Sequence, residues 1–364
     1  MIDRSGPEAP RVLFSALCCR AMVLALSLLF VAALAALPAS AQNPQQRMLQ
    51  QQFEAQAAAS RALVDPGALR VFVCGSASPL GAQPEACVAV IAGGRIFLVD
   101  IGGGTGANLA LGGIPLEHLR GVFLTHFHSD HISGLGDVNL ASWVAGRSDA
   151  LTVYGGGGVE RVVAGFNEAY ALDRRYRTEH HGAEMLPPAT GPMQAKAVEP
   201  GVVLEHDGVK VTAFEVDHDP IAPALGYRFD YRGRSVVVSG DTVKTDGLIA
   251  AAKGADLLLH DAMALPVVQL LAAARAETGP PRLAKLLQDI QTYHAPVADV
   301  VAAAEAAQVR KLVLYHLVPA AVNPMVQAAF RQGLPEGAEI AADGQLYELP
   351  ADSEAIEMRL LFER

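Results

Sequence analysis

The chain has 364 residues, of which 51% are apolar and 18% are charged. This balance excludes an intrinsically disordered chain, which needs low hydrophobicity and a high net charge. The glycines follow no three-residue period and no heptad pattern is present, which excludes collagen-like and coiled-coil chains. The formal charge is −10, from 28 basic and 38 acidic residues. Because an acidic surface repels phosphate backbones, we expect no nucleic-acid partner.

The first segment has the composition of a targeting sequence. Residues 21–37 are all apolar or small, with Arg4, Arg11 and Arg20 before them and an Ala-Ser-Ala sequence after Pro38. A basic segment, an apolar segment and a small-residue cleavage site together are typical of a secretory signal peptide. We therefore predict a signal peptide over residues 1–41, export to the periplasm or beyond, and no membrane span afterwards. The alternative is an uncleaved N-terminal membrane anchor, because the run lies at the lower limit of a bilayer span.

The remaining chain contains two cysteines, Cys74 and Cys87. In an exported protein such a pair favours a disulfide. The alternative is two buried thiols on neighbouring strands.

The elements predicted along the chain alternate between strands and helices. Residues 42–65 form a Gln- and Ala-rich lead-in segment, residues 66–364 form one domain, and the polar, Pro-containing stretch at 155–200 is interpreted as an insertion or lid. Apolar runs predict strands at 70–74, 87–92, 95–100, 121–125, 151–154, 209–216, 226–231, 235–239, 256–260 and 311–317, and helical patterns cover 132–145, 245–252 and 298–307. This order predicts an α/β fold in which sheets are sandwiched between helices.

A cluster of metal-ligand residues follows the strand predicted at 121–125. His126, His128, Asp130 and His131 lie within six positions. Alternate side chains share one face of an extended backbone, so His126 and His128 can hold one ion together, and a turn would bring Asp130 and His131 to a second ion. A polar loop of solvated histidines is the alternative, but these groups at the end of a buried strand are costly without a metal to satisfy them.

The run His126-x-His128-x-Asp130-His131 resembles the signature of the metallo-β-lactamase-fold hydrolases. The resemblance extends from about Arg70 to the C-terminus. In the expected order, His218 is similar to the third histidine of the family, Asp241 to its bridging aspartate and His316 to its final ligand. The resemblance implies an αββα four-layer sandwich of two mixed β-sheets flanked by helices.

The resemblance also implies a ligand set for two Zn²⁺ ions, with Mn²⁺ or Fe²⁺ as alternatives. His126, His128 and His218 would hold one ion, Asp130, His131 and His316 the other, and Asp241 with a hydroxide would bridge them. Imidazole and carboxylate are zinc ligands, and three protein ligands per ion leave room for water. The implied reaction is hydrolysis by direct attack of water, with no covalent intermediate.

Later motifs are similar to the ribonuclease Z and type III arylsulfatase branch. His260-Asp261-Ala resembles the His-Glu-Ala segment of that branch, and His294 stands in place of the histidine that protonates the leaving group, although Ala-Pro follows it instead of Ser-Thr. The expected catalytic residues are thus Asp130 and His294. Against a tRNA nuclease stand Val243, where the branch has an arginine, and the lack of a long basic arm.

These features predict an exported zinc hydrolase of a small-molecule sulfate or phosphate ester. The alternatives are a lactonase or thioesterase with the same metal site, a ribonuclease Z-like tRNA 3′ endonuclease, and a catalytically silent metal- or ligand-binding protein. The sequence also allows a homodimer. The candidates for substrate contact are His260 and, from the 155–200 insertion, His181 and Arg177, since arginine suits sulfate and phosphate oxygens. For His260 the alternative is a structural role or support of a metal ligand.

Overall fold

The computed structural model describes residues 43–79 and 82–363. Contacts divide the chain into two units, Met1–Ala57 and Ala58–Arg364. The predicted signal peptide at residues 1–41 lies outside the described residues. Within the described residues, no helix is both long enough and apolar enough to cross a bilayer.

Helices and strands alternate through most of the chain. The helices are α1 Pro44–Leu63, α2 Thr105–Leu111, α3 Ser129–Ile132, α4 Leu135–Val144, α5 Val159–Ala169, α6 Ala171–His181, α7 Asp246–Ala252, α8 Leu265–Thr278, α9 Pro281–Asp289, α10 Val297–Ala307 and α11 Pro324–Arg331. The strands are β1 Ala68–Gly75, β2 Cys87–Ala92, β3 Arg95–Val99, β4 Leu119–Phe123, β5 Thr152–Gly155, β6 Gln194–Ala197, β7 Gly201–His206, β8 Val209–Glu215, β9 Leu225–Tyr231, β10 Arg234–Val238, β11 Leu257–Met263, β12 Lys311–Val318, β13 Glu339–Ile340, β14 Gln345–Pro350 and β15 Glu357–Leu360.

The strands form two mixed sheets. The first has the order β15-β14-β1-β2-β3-β4-β5-β6, and the second has the order β13-β12-β11-β10-β9-β8-β7. In the second sheet β10, β11 and β12 are mutually parallel, and β8 runs in the same direction because both it and β10 are antiparallel to β9. The carboxyl ends of β8, β10 and β12 therefore lie at one edge of this sheet.

Three apolar clusters account for the layers. Along β1, Leu69, Val71 and Val73 belong to the central cluster, which both sheets share, whereas Phe72 and Cys74 belong to a cluster on the outer face. Such alternation follows from the two-residue period of a strand. Helices α2, α4 and α5 cover the outer face of the first sheet, and α7, α10 and α11 cover the outer face of the second. The predicted αββα sandwich is thus confirmed.

A disulfide joins the first two strands. Cys74 of β1 and Cys87 of β2 are bonded, with their Cα atoms 5.1 Å apart. Both side chains are fully buried in the outer cluster of the first sheet. Of the two alternatives for this pair, the structure contains the disulfide.

Two predicted segments differ from the structure. The helix expected at 132–145 is present as α4 but begins at Leu135, because the chain turns at Gly134 after the short α3, and an added Cβ at Gly134 would lie 2.6 Å from the carbonyl oxygen of Gly102. The chains approach too closely there for a side chain. The 155–200 segment, for which one helix and a polar stretch are expected, contains two helices, α5 and α6, and the edge strand β6, which pairs with β5.

Candidate metal centre

The predicted ligand residues come from both sheets. His126 to His131 follow β4 of the first sheet, while His218 follows β8, Asp241 follows β10 and His316 lies near the end of β12 in the second sheet. Backbone hydrogen bonds join the two sheets at this point, including one from the amide of Leu225 to the carbonyl oxygen of Thr125, 2.9 Å long. Residues more than a hundred positions apart therefore meet between the sheets.

One group of side chains contains three histidines and one carboxylate. Nε2 of His126 lies 2.8 Å from Nδ1 of His128, and that atom lies 3.5 Å from Nε2 of His218. Oδ2 of Asp241 lies 3.9 Å from Nε2 of both His126 and His218. One ligand atom from each of the four residues lies within 4.8 Å of the others, which is the spacing of a metal site.

A second group lies on the other side of Asp241. Oδ2 of Asp130 is 3.1 Å from Nε2 of His316 and 3.4 Å from Nε2 of His131. Asp241 reaches this group as well, because its Oδ2 is 3.3 Å from His131 and its Oδ1 is 3.4 Å from Nδ1 of His316. Asp241 thus lies between two groups, as a bridging carboxylate would.

The donor atoms fit divalent metal ions. Among the described residues, His131 Nε2, Asp241 Oδ1 and His316 Nδ1 are buried and have no hydrogen-bond partner. His131, His218 and His316 are each only 1% exposed. Buried polar atoms without a partner are costly, and a cation between them satisfies several at once. The His/Asp cluster is therefore compatible with divalent metal binding.

Electrostatics divides the cluster into a neutral half and a charged half. Burial lowers the pKa of His126, His128 and His218, so these imidazoles are neutral at pH 7. Burial also acts to lower the pKa of His131, but the carboxylates of Asp241 and Asp100 outweigh it and hold that pKa well above its usual value.

The carboxylates of the charged half remain ionised despite their burial. Burial acts to raise the pKa of Asp130, yet the close imidazoles of His131 and His316 lower it overall. The pKa of Asp241 lies well below its usual value in the same way, because the charges of His316 and His131 outweigh burial. Three imidazoles and both carboxylates are thus in the forms that bind metals, whereas His131 and His316, whose pKa values are raised, must release a proton when a metal binds.

A β-bulge aims His316 into the cluster. Asp261 of β11 pairs with Tyr315 and Ala262 pairs with Leu317, so His316 is the extra residue of β12, and its φ is 43°. Bulges redirect single side chains next to active sites, and a non-glycine residue at positive φ stores strain that the surrounding structure must hold.

Asp241 depends on the glycine before it. Gly240 has a φ of 65°, and a Cβ at this position would lie 2.7 Å from the carbonyl oxygen of Leu225 and 2.9 Å from Cβ of Thr125. Only glycine allows the turn after β10 to pass this close to the first sheet.

Asp100, which follows β3, is a functional residue that sequence reasoning missed. It is fully buried, and its Oδ2 lies 2.8 Å from Nδ1 of His131. Its Oδ1 accepts the backbone N–H of Thr125 at 2.8 Å. A carboxylate on Nδ1 leaves Nε2 of His131 free for a metal. The available signal was an acidic residue at the end of an apolar strand, separated by Ile101 alone from Gly-Gly-Gly.

His294 belongs to a neighbouring network. Its Nδ1 lies 2.9 Å from Oδ2 of the fully buried Asp261, and its ring stacks on that of His316 with centroids 5.6 Å apart. Hydrogen bonds from His260 and His294 hold the pKa of Asp261 below its usual value, although burial acts to raise it. His294 is therefore oriented toward the cluster by a carboxylate. Asp241, His294 and His316 also have ligand atoms within 4.8 Å of one another.

The three candidate substrate-contact residues lie elsewhere. His260 is completely buried in β11, and its Nδ1 contacts the carbonyl oxygen of Asp261 at 2.7 Å, so a substrate could not touch it. Of the two roles expected for His260, substrate contact is therefore wrong and the role inside the protein fits its burial. Arg177 and His181 are on α6, where Arg177 pairs with Asp173 at 2.8 Å. Among the residues that the structure describes, no hydrogen bond or ion pair connects either residue with the histidine cluster.

Comparison with known proteins identifies the family. Residues 97–317 match the family model described as the Beta-lactamase superfamily domain. The chain belongs to the metallo-β-lactamase superfamily. It is a hydrolase of this family, and the predicted resemblance is confirmed.

The curated relatives come from the ribonuclease Z branch. The chain is 36% identical over 259 residues to "Ribonuclease Z" of Mycolicibacterium paratuberculosis. The matched region covers 70% of this chain and 88% of that protein. It is 34% identical over 259 residues to "Ribonuclease Z" of Mycobacterium marinum, again with 70% of this chain and 88% of that protein covered.

Solved structures share the fold at lower identity. The metallo-β-lactamase fold protein YhfI from Bacillus subtilis has a TM-score of 0.55 and 18% identity, and covers 77% of this chain and 99% of its own. The short form of human tRNase Z has a TM-score of 0.51 and 19% identity, with the same coverage.

These relatives overturn one expectation. A small-molecule ester with no nucleic-acid partner is contradicted, because the curated relatives are ribonucleases, whose substrate is a nucleic acid. The expectation depended on the net charge of −10. Net charge describes the whole surface, whereas a substrate contacts only part of that surface, whose local charge can differ. Helix α6, for example, carries three arginines, Arg174, Arg175 and Arg177, and two acidic residues.

Proposed function

We propose that the chain is a dinuclear, metal-dependent phosphodiesterase that cleaves RNA, with Zn²⁺ as the resident metal. The observation that carries the proposal is the convergence of seven ligand side chains into two groups that share Asp241. The identity of 36% with ribonuclease Z of Mycolicibacterium paratuberculosis, over 88% of that protein, supports RNA as the substrate class.

The residues divide into two ligand sets. His126, His128 and His218 would hold one ion, and Asp130, His131 and His316 the other, with Asp241 between them. When bound, two such ions supply positive charge for the oxygens of a phosphodiester and a water of lowered pKa. Burial holds His126, His128 and His218 neutral, and neighbouring histidines keep both aspartates ionised. His131 and His316 would each release a proton as an ion binds, since their pKa values are raised.

His294 is the proposed general acid. Asp261 faces its Nδ1, so the proton that the ring can transfer is at Nε2. Cleavage of a phosphodiester leaves an alkoxide oxygen, which needs a proton as the bond breaks. The stacking of His294 on His316 places this proton beside the ligand cluster.

The test uses the purified full chain with Zn²⁺ and three RNAs: a tRNA precursor with a 3′ extension, a single-stranded RNA and a duplex. We expect metal-dependent cleavage of at least one of them. Asp241→Ala should reduce the cleavage rate by more than about a hundredfold. Loss of a residue that only supports a metal ligand costs up to about a hundredfold in activity, and Asp241 is proposed to be a ligand itself. The control is Asp230→Asn, which alters a surface carboxylate paired with Arg228. The proposal fails if no RNA is cleaved, or if Asp241→Ala keeps the wild-type rate.

We also propose that the protein is exported. The apolar run at residues 21–37 and the Cys74–Cys87 disulfide support this, because disulfides persist in oxidising compartments. Mass spectrometry of the protein from fractionated cells should find a chain that begins at Gln42 outside the cytoplasm. An intact chain confined to the cytoplasm would contradict export.

A further inference from the structure

An open groove of about 900 Å³ lies beside the metal centre. It reaches the proposed ligand His128, so a substrate bound at the metals would extend into it. Its volume lies within the range of roughly 300–1,000 Å³ that is typical of ligand sites. The loop after His218, one face of α9 and the residues before His294 form its walls. The side chains that line it include Asp219, Ile221, Arg282, Leu286, Asp289 and Tyr293.

Helix α9 presents one face to the groove. Arg282, Lys285, Leu286 and Asp289 all line it and are spaced at intervals of three, four and seven residues, which places them on the same side of a helix. The opposite side is anchored, because Leu287 packs against an apolar cluster of Met263, Val268 and Val318. The groove face therefore has a fixed position relative to the end of β11.

The charges on this face leave one cation available. Lys285 is paired with Asp289, whose Oδ2 lies 2.7 Å from its Nζ. Arg282 is exposed, and among residues 43–79 and 82–363 no acidic side chain forms an ion pair with it. Arginine binds phosphate oxygens through its planar set of donors. Asp219 and Asp289 on the same walls disfavour further anions, so the groove suits a single phosphate group.

Aromatic and apolar groups complete the groove next to the metal centre. The ring of Tyr293 lies 5.0 Å from that of His218 and 5.0 Å from that of His294, and Ile221 and Leu286 contribute apolar surface. A cation beside an aromatic ring is the combination with which proteins bind single-stranded nucleic acid, since every base has a face that can stack.

We propose that this groove binds a nucleotide next to the scissile bond of a single-stranded RNA segment. Its phosphate pairs with Arg282, and its base lies against Tyr293 and Leu286. The inference rests on the proposed function, and it adds the position and strandedness of the RNA. The groove holds the segment, and the metal centre cuts beside it.

Binding is measured without cleavage. The full chain is treated with a chelator, and its affinity for a labelled single-stranded RNA is followed by fluorescence anisotropy over a range of salt concentrations. We expect Arg282→Ala to weaken binding about tenfold, as loss of one charged hydrogen bond does, and to reduce the slope of log affinity against log salt by about 0.7. Arg282→Glu should weaken binding further. The matched control Arg275→Ala, an exposed arginine of α8 outside the groove, should bind as the wild type does.

The outcomes separate this inference from the proposed function. Equal affinities of Arg282→Ala and Arg275→Ala, or equal binding of single-stranded and duplex RNA, overturn the groove assignment even if the metal-loaded protein cleaves RNA. Binding that depends on Arg282 supports the groove, and in that case a metal-loaded protein without RNA cleavage contradicts the proposed function alone.

Discussion

His131 is held between carboxylates on both sides of its ring. Asp100 contacts Nδ1 at 2.8 Å, while Asp130 and Asp241 face Nε2 at 3.4 and 3.3 Å. The first contact fixes which nitrogen faces the ions, and the others belong to the ligand groups themselves. Asp100 therefore acts through His131 as a positioning residue.

Asp100→Asn should weaken metal binding. An asparagine keeps the shape of the side chain but loses the charge that orients His131, so we expect a fall of about 10–100-fold in metal affinity. Competition with a chromogenic chelator measures it. Asp137→Asn, which alters an exposed carboxylate bonded to Tyr170, is the control. Unchanged metal affinity in Asp100→Asn would contradict the positioning role.

The general-acid role of His294 predicts a dependence on the leaving group. His294→Ala should lower kcat for RNA by roughly 10²–10⁴-fold. With bis(p-nitrophenyl) phosphate the fall should be much smaller, because p-nitrophenolate leaves without a proton. Asp261→Asn should show the same pattern in a weaker form, since Asp261 acts through His294. An equal loss of kcat on both substrates in His294→Ala would instead indicate a structural or metal-binding role.

The signature residues could be predicted because four of them are close together in the sequence. His126 to His131 need only one strand end, and His218, Asp241 and His316 follow in the order that the family resemblance implies. Asp100 could not be recognised in this way, because its importance comes from a contact with His131, 31 positions away. Asp261 was noted within a motif, but its contact with His294, 33 positions away, could not be predicted. For His260 a substrate contact and a structural role both stayed open, because sequence does not show which face of β11 is buried.

At the scale of elements, strands were easier to predict than the joints between them. The apolar runs of β1 to β4 and β8 to β12 are long and clear. The bulge at His316 and the break at Gly134 arise from the approach of other segments, which leaves no local pattern. Helices α8 and α9 were not predicted at all, although α9 forms a wall of the groove at His128.

The start of β10 and β11 depends on a buried ion pair. Asp256, directly before β11, contacts Arg234 at 3.0 Å and accepts the N–H of Ser235 at 2.8 Å, and the side chains of the pair are 8% and 3% exposed. Burial acts to raise the pKa of Asp256, but the hydrogen bond from Arg234 outweighs it and lowers the pKa overall. Arg234 also donates to the carbonyl oxygens of Pro350, Ser353 and Ala355, so the pair connects the sheet with the C-terminal segment.

Asp256→Asn should destabilise the fold by about 3–5 kcal/mol, because it leaves Arg234 buried without its partner. Since the folded-state pKa is lowered, the stabilisation by Asp256 is present above the unfolded pKa of about 3.9 and is lost as the pH falls through the folded value. Urea unfolding at pH 7 and at lower pH should therefore show a wild-type advantage that shrinks in acid. Asp230→Asn, at a more exposed pair with Arg228, should cost under about 1 kcal/mol. Equal stability of the two variants at pH 7 would contradict this account.

For the whole molecule, the metal centre is also a link between the two sheets. One part of the cluster follows β4 of the first sheet, and His218, Asp241 and His316 belong to the second. A bound ion would therefore contact both halves of the sandwich, and we expect it to bind only when they are assembled. The net charge, by contrast, is a property of the whole molecule, and it gave a wrong prediction about nucleic acid. The local charge of α6 and of the groove face of α9 differs from the negative average, because basic side chains outnumber acidic ones on both.

Metal removal should lower the stability of the whole fold. At free Zn²⁺ of about a hundred times its dissociation constant, a ligand that binds only the folded state adds roughly 2.7 kcal/mol to the free energy of unfolding. Thermal unfolding with zinc and with a chelator measures this difference in stability. In Asp241→Ala the unfolding midpoints under the two conditions should differ little. Identical unfolding midpoints of the wild type under both conditions would contradict a link between the sheets.

The most direct test of the dinuclear centre is a metal titration followed by RNA cleavage. Chelator-treated full-length protein receives Zn²⁺ in steps, and the cleavage rate of a 3′-extended RNA is measured at each ratio of bound ion to chain. We expect no cleavage without metal and a rate that rises until two ions are bound to each chain. Full cleavage without metal, or no cleavage when both ions are bound, would contradict the account.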